Sequence, residues 1–344
     1  MKLIRIHGPS DVRLDEVDEP QMGERDVILG IAACGVCGTD LSYIRHGGLI
    51  GPGDEPMAIG HEAAGIVEAV GSEVSDIAVG DRVVLHPGND RLGRVGNGTV
   101  EGALAPRLLV RDAAGGGRLF RVPDGLDLTV AALAEPLAVG MNAVDRCGVG
   151  PGSKVVVFGC GPIGLSAIAT LADRGIDDVV AIDVSARRRE LAVELGARAA
   201  LDPTESDVWA AIDEMHGTAD SMFGPTTGTD AYIEASGAAA VITAVIQHAK
   251  PGSCMSVVAV HGEDIPVSFL QILVKQLTIT GAMEYPDRFE SALELLERRD
   301  LSPMITHRFD LDDFGEALEL LQGSPECGKV MITVGAPGGG DQPR

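Results

Sequence analysis

The sequence predicts a two-domain α/β protein: an all-β barrel or sandwich first, then a doubly wound parallel sheet. Three observations predict it. At 344 residues the chain has room for roughly two domains of about 150 residues. Its first 110 positions carry many short apolar runs at close spacing, broken by glycine, which is the pattern of an all-β unit. From Gly150 the pattern changes to continuous apolar strands alternating with helices, as a parallel sheet with crossovers requires.

In chain order, residues 2–7, 12–17 and 27–33 read as strands. Residues 39–46 are expected to form a short helix with Thr39 as N-cap, followed by a Gly- and Pro-rich loop at 49–56. Residues 63–70, 82–86 and 104–110 read as strands. Residues 129–133 and 136–147 read as helices, with Pro136 suited to a first turn. The second half continues with strands at 154–158, 179–183, 199–201, 231–235, 253–260 and 277–281. Helices at 162–174, 186–195, 206–216 and 238–248 connect them. The stretch 219–228 is a loop longer than a crossover needs. After Gly281 come a helix at 286–298, a strand at 304–308, a helix at 311–321 and a strand at 329–334. A closing strand after a complete parallel sheet implies a return to the first domain. The expected division is 1–148, 149–283 and 284–334, with a disordered tail over 335–344, where three glycines run together.

Composition narrows the function. Acidic residues outnumber basic ones 51 to 27, a net charge of −24, and an acidic surface repels phosphate backbones. Nucleic-acid binding is therefore not expected. Apolar residues make up 45% of the chain, enough for two cores. No apolar run near 18 residues stands out, so no membrane span is expected. The first six residues lack the apolar core of a secretory signal and read as a strand, and a cytoplasmic protein is expected. The six cysteines, Cys34, Cys37, Cys147, Cys160, Cys254 and Cys327, are scattered and do not suggest a disulfide framework.

The motif Gly159-Cys160-Gly161-Pro162-Ile163-Gly164 lies between an apolar strand and a helix, with Asp183 nineteen positions beyond Gly164. In that context Gly-x-Gly-x-x-Gly is a dinucleotide signature. Gly159 permits the tight turn, Gly161 lets the backbone approach the pyrophosphate, and Gly164 lets the helix pack closely. Pro162 and Ile163 open that helix, whose N-terminus offers N–H groups to phosphate. Asp183 can accept hydrogen bonds from the adenosine ribose and would repel a 2′-phosphate, so NAD is favoured. Arg187 and Arg188 keep NADP open. Val260 and Met283 fall at expected C-terminal strand ends, where a nicotinamide would sit against their backbones.

A second constellation is more dispersed. Cys34-Gly-Val-Cys37-Gly-Thr39-Asp40 precedes Gly60-His61-Glu62 by some twenty positions, and Glu135-Pro136 lies much further on. Thiolate, imidazole and carboxylate are zinc donors, and three protein ligands with an open position make a catalytic site. Singly, each residue has an ordinary reading as core or surface. Cys34-x-x-Cys37 also admits a redox pair or half a structural zinc site, although no second Cys-x-x-Cys exists.

Together these motifs resemble the zinc-dependent medium-chain alcohol dehydrogenases, in particular the sorbitol, threonine and butanediol dehydrogenase branch. The likeness covers about residues 1–334. It rests on the stretch 34–40, Gly60-His-Glu-Ala-Ala-Gly65, Gly80-Asp-Arg-Val83, Glu135-Pro-Leu-Ala-Val-Gly140, the phosphate loop and Ile233-Glu-Ala-Ser-Gly237. It implies a GroES-like β domain, closed by the C-terminal segment, around an inserted Rossmann domain. It implies NAD and one catalytic zinc per chain. Cys37 and His61 would be ligands, and Glu62 or Glu135 would complete the shell. Thr39 would hydrogen-bond the substrate hydroxyl, and Asp40 would orient His61. The implied reaction is reversible oxidation of a secondary alcohol or polyol to a ketone, in a homodimer or homotetramer.

The sequence departs from the family pattern twice. Ser42 stands where many relatives carry a relay histidine, leaving Ser42 or His46 to move the proton. Residues 87–101, where many relatives hold a four-cysteine structural zinc lobe, contain no cysteine. Two other functions compete. A zinc-free quinone or enoyl reductase of the same superfamily would lack the Cys, His and Glu set, and a non-catalytic cofactor-binding protein would show a broken ligand set. Both features argue against them here.

Overall fold

The computed structural model describes residues 1–88, 94–205, 207–324 and 326–335. Two compact units divide the chain. The first comprises Met1–Glu135, Ile305–Ser324 and Lys329–Arg344, and the second Pro136–Met304 and Pro325–Gly328.

The chain begins with β1 (Lys2–Gly8), β2 (Asp11–Glu16), β3 (Val27–Val36), α1 (Gly38–His46), β4 (Met57–Ala58) and β5 (Glu62–Val70). β6 (Arg82–Leu85), β7 (Arg107–Val110), β8 (Leu119–Arg121), α2 (Leu128–Ala131) and α3 (Ala134–Asp145) follow. The second unit then runs β9 (Lys154–Phe158), α4 (Pro162–Asp173), β10 (Asp178–Ile182), α5 (Ala186–Leu195), β11 (Ala199–Leu201) and α6 (Val208–His216). It continues with β12 (Thr218–Ser221), β13 (Gly224–Thr227), β14 (Ala231–Glu234), α7 (Ala239–His248), β15 (Cys254–Val257), α8 (Phe269–Lys275), β16 (Thr278–Gly281) and α9 (Glu290–Arg298). The last elements are β17 (Ile305–Asp310), α10 (Phe314–Gly323) and β18 (Lys329–Thr333).

In the first unit, β2-β1-β4 form a small sheet, and a larger one runs β17-β18-β3-β5-β6-β8, with β7 also on β3. The chain's last strand therefore pairs with its third. β3 carries small and branched residues, Val-Ile-Leu-Gly-Ile-Ala-Ala-Cys-Gly-Val, nearly all buried, as a strand between neighbours on both sides demands. In the second unit the sheet order is β11-β10-β9-β14-β15-β16, all parallel. The doubly wound sheet read from the alternation of strand and helix is present. Val156, Phe158, Val180, Ile182, Tyr232 and Met255 from its strands pack with Ile212, Ile242, Val245 and Ile246 from its helices. Asp127, Ser185, Asp207 and Ser268 cap α2, α5, α6 and α8 with side-chain oxygens, which explains where those helices begin.

Several sequence expectations differ from the structure. Helix α1 starts one residue early, and its N-cap is Cys37, not Thr39, because Asp40 reaches back to the Cys37 N–H. The long loop at 219–228 is the hairpin β12–β13. α8 lies in a stretch with no helix expected, and the strand expected over 253–260 ends at Val257. The two units divide at Glu135/Pro136 and Met304/Ile305 rather than at 148 and 284. α3 belongs mainly to the second unit, where Gly140 lets it approach Ser166 of α4 so closely that a Cβ would lie 2.5 Å from the serine Cβ. α9 belongs there too: Arg298 pairs with Asp173, and Arg299 donates to the Leu195 carbonyl. One 18-residue stretch, Leu128–Asp145, does reach membrane-span length at a mean hydropathy of 1.2, but 72% of it is buried within the fold, as in a core helix. The expected tail at 335–344 lies outside the described residues apart from Gly335.

Candidate metal and dinucleotide sites

The larger sheet of the first unit explains how distant residues converge. β3 ends at Val36, directly before Cys37. β5 begins at Glu62, directly after His61, and β18 begins at Lys329. β5 and β18 flank β3, both antiparallel to it, with Gly35 opposite Glu62 and Val36 opposite Val330. One end of three adjacent strands thus carries Cys37, His61, Glu62 and Lys329.

Ligand atoms of Cys37, His61 and Glu62 lie within 4.8 Å of one another, and His61 and Glu62 are buried. Gly35 makes room for the carboxylate: a Cβ there would stand 1.9 Å from Glu62 Oε2. Lys329 Nζ lies 2.6 Å from both Glu62 oxygens and donates to the Val36 carbonyl at 3.2 Å. Both partners are almost wholly enclosed. Burial disfavours the ammonium, but the Glu62 charge outweighs it, with Cys37 and Glu135 adding to the effect, and the Lys329 pKa is raised.

Asp40, fully buried on α1, ties the cluster together. Its Oδ2 accepts from the Cys37 N–H at 2.9 Å, and its Oδ1 accepts from the Gly60 N–H at 3.3 Å. Oδ1 also faces His61 Nδ1 at 3.6 Å, beyond hydrogen-bond range. Among the described residues, that buried nitrogen has no hydrogen-bond partner. Burial works against an imidazolium at His61, but the Asp40 charge and the neighbouring thiol prevail, holding its pKa well above the ordinary value. Thiol, imidazole and carboxylate donors converge in an enclosed place, a donor set that fits a zinc ion.

Other expected residues are less close. Glu135 is buried at the start of α3 but is not in the three-donor group. Cys34 is enclosed, donates weakly to the Gly35 carbonyl and has its thiol pKa pushed up by burial; it too is outside the group. Thr39 and Ser42 are half-buried on α1 and His46 is exposed. Ser42 Oγ lies 3.4 Å from His46 Nδ1, which also lies 2.9 Å from the Ser42 carbonyl. At the cysteine-free stretch, Tyr43 donates to Asn97 Oδ1 at 3.0 Å, and Thr99 donates to the Arg94 and Glu101 carbonyls. Residues 89–93 of that stretch lie outside the described residues.

The second unit carries a cleft of about 450 Å³ at the C-terminal ends of β9 and β10. Gly159, Gly161, Asp183 and Arg188 line it, with Trp209 and Ser236. Gly159 turns with φ 88°, and a Cβ there would meet the Ser236 nitrogen at 2.6 Å. Gly161 is the N-cap of α4, and Pro162 and Ile163 open the helix. A Cβ on Gly164 would stand 1.8 Å from the Gly159 carbonyl oxygen, so only glycine allows this helix to sit against its own loop. Asp183 is buried and braces the loop: its Oδ2 accepts from the Cys160 N–H at 2.6 Å and its Oδ1 from the Ser185 N–H at 2.8 Å. Each oxygen keeps a lone pair for a ribose hydroxyl. Val260 and Met283 are strongly exposed, beyond the ends of β15 and β16. Sequence reasoning missed Trp209, the chain's single tryptophan. Its place in the cleft follows from α6 packing on the sheet, although its rarity in the chain was a visible signal.

Known proteins place this architecture. A GroES-like alcohol dehydrogenase domain matches residues 23–118 and a zinc-binding dehydrogenase domain matches 162–298. Human sorbitol dehydrogenase is 32% identical over 336 residues, 91% of this chain and 90% of that one. The chain belongs to the zinc-binding alcohol dehydrogenase family. As a family member it is an oxidoreductase with a GroES-like domain and a Rossmann domain. (R,R)-butanediol dehydrogenase of Bacillus subtilis is also 32% identical, over 92% of this chain and 94% of that one. The crystal structure of 2R,3R-butanediol dehydrogenase from the same species superposes with a TM-score of 0.86 at 29% identity, covering 96% of this chain and 99% of that one. Galactitol-1-phosphate dehydrogenase from Escherichia coli superposes with a TM-score of 0.82 at 26% identity.

Proposed function

We propose that this dehydrogenase oxidises a secondary alcohol or polyol to the ketone, reversibly, with NAD and one zinc ion per chain. The observation that carries the reading is the enclosed convergence of Cys37, His61 and Glu62. These three residues would hold the metal, with Glu135 a nearby carboxylate outside the group. Bound zinc supplies a Lewis acid that lowers the pKa of an alcohol and polarises a carbonyl in the reverse direction. The remaining work belongs to the chain. Asp40 fixes the start of α1 and the Gly60 turn, and so the positions of Cys37 and His61. Thr39 hydrogen-bonds the substrate hydroxyl, and Ser42 with exposed His46 passes its proton to solvent. Gly159–Gly164 and Asp183 would hold NAD, which would supply the hydride acceptor.

The relatives named for sorbitol, butanediol and galactitol-1-phosphate support a polyol or vicinal diol as substrate. The test is a panel of sorbitol, 2,3-butanediol, threonine and 2-propanol, following NADH formation. Turnover with a polyol or diol is expected; a panel without turnover by the zinc-loaded enzyme would refute the reading. We also infer a homodimer or homotetramer. Among the described residues β16 ends its sheet with one side unpaired, and nearby α8 exposes Phe269, Leu270 and Leu273, a combination that favours burial against a second copy. Light scattering giving a single-chain mass would overturn it. No disulfide joins any of the six cysteines, which suits the reducing cytoplasm.

A further inference from the structure

Helix α5 starts three residues after Asp183, beside the place where the adenosine ribose would lie. Its first turn carries Arg187, Arg188 and Arg189. Free N–H groups, the positive end of a helix and three arginines make a favourable place for a phosphate. A 2′-phosphate on the ribose would be drawn there. In this chain the place already holds an anion of its own.

Glu326 Oε2 accepts from the Arg187 N–H at 2.9 Å and from Ser185 Oγ at 3.0 Å. Ser185 Oγ accepts in turn from the Arg188 N–H at 3.1 Å. The arginine side chains are engaged as well. Arg188 Nε donates to the Cys327 carbonyl at 2.7 Å, and Arg189 donates to Asp202 at 2.7 Å and to the Asp183 carbonyl at 2.9 Å. Arg187 pairs with Glu190 at 3.0 Å. The segment Pro325–Gly328, which supplies Glu326 and Cys327, belongs to this unit, although its chain neighbours belong to the other. The helix-capping bonds hold the Glu326 carboxyl below its ordinary pKa, with the Arg188 and Arg189 charges adding to them.

We propose that Glu326 is a cofactor-selectivity residue whose carboxylate takes the N-terminus of α5 and bars a 2′-phosphate from it. This rests on the reading of the cleft as an NAD site. Asp183 disfavours a 2′-phosphate from the strand side, and Glu326 denies it the helix side. Discrimination against NADP is shared between two carboxylates 143 positions apart in the sequence.

Trp209 in the cleft gives the readout. Zinc-loaded wild type and Glu326→Gln are titrated with NADH and NADPH, following tryptophan fluorescence. Removing one partly screened like charge is expected to tighten NADPH about fivefold. NADH affinity should change less than twofold, because its 2′-hydroxyl does not compete for the helix end. A merely structural role for Glu326 would move both cofactors together. An NADPH-to-NADH ratio within twofold of wild type overturns the proposal. Should the glutamine variant fail to fold, Glu326→Ala serves the same comparison. Absence of NADH binding by the wild type would instead sink the NAD reading itself, so the two failures are distinct.

Discussion

In the first unit, the donors come from positions 37, 61 and 62, and their counter-charge from position 329. In the second, the phosphate loop, its helix and its acidic residue all come from 159–183. The first arrangement rests on side chains and charge: an enclosed carboxylate, an enclosed ammonium, a buried aspartate and an imidazole. The second rests on backbone: glycines where no Cβ fits, a helix start, and one aspartate bracing two N–H groups. A charge-built site fails when one partner is removed, because the other is left unpaired in a low dielectric. A backbone-built site fails when atoms are added, because packing there leaves no room.

The largest expected effect probes the charged side. Lys329→Met leaves Glu62 buried and unpaired, and should cost about 3–5 kcal/mol of unfolding free energy. Urea denaturation of chelator-treated protein measures it, so that no cation stands in for the ammonium. A loss below about 1 kcal/mol would mean that the pair contributes little. The next probes the backbone side. Gly164→Val drives a side chain into the Gly159 carbonyl and is expected to weaken NADH roughly tenfold or more. Zinc content should stay at the wild-type level; a parallel fall in zinc would show that the two sites are not separable. The smallest is Asp183→Ala. Losing an anionic acceptor for the ribose should weaken NADH about tenfold and narrow its advantage over NADPH. An unchanged preference would place the ribose contact elsewhere.

The same contrast decides what could be read without coordinates. The strand, turn and helix of the proposed dinucleotide site were legible because its parts are local: a strand, three glycines, a helix and Asp183 within thirty residues. Cys37 and His61 were expected as donors from their chemistry and from resemblance, while Glu62 and Glu135 stood as alternatives; the structure groups Glu62 with the first two. Lys329 was not legible, because its role depends on β18 pairing with β3 some 300 positions earlier. Glu326 was hidden for the same reason, since it caps a helix 140 residues away, whereas Trp209, marked only by its rarity, reaches the cleft through helix packing. α8 lies in a stretch whose apolar residues, Phe269, Leu270 and Leu273, face outward. An apolar face that is not buried within its own chain gives no reliable signal of where an element sits.

Zinc content per chain, measured on purified enzyme and on Cys37→Ala with NADH binding followed at Trp209, tests the central claim most directly. About one zinc per chain is expected in the wild type. In the variant, zinc is lost, turnover falls by about a thousandfold as several kcal/mol of charge stabilisation disappear, and NADH still binds. Active wild-type enzyme with less than about 0.2 zinc per chain, or a variant that keeps both its metal and its turnover, would contradict it.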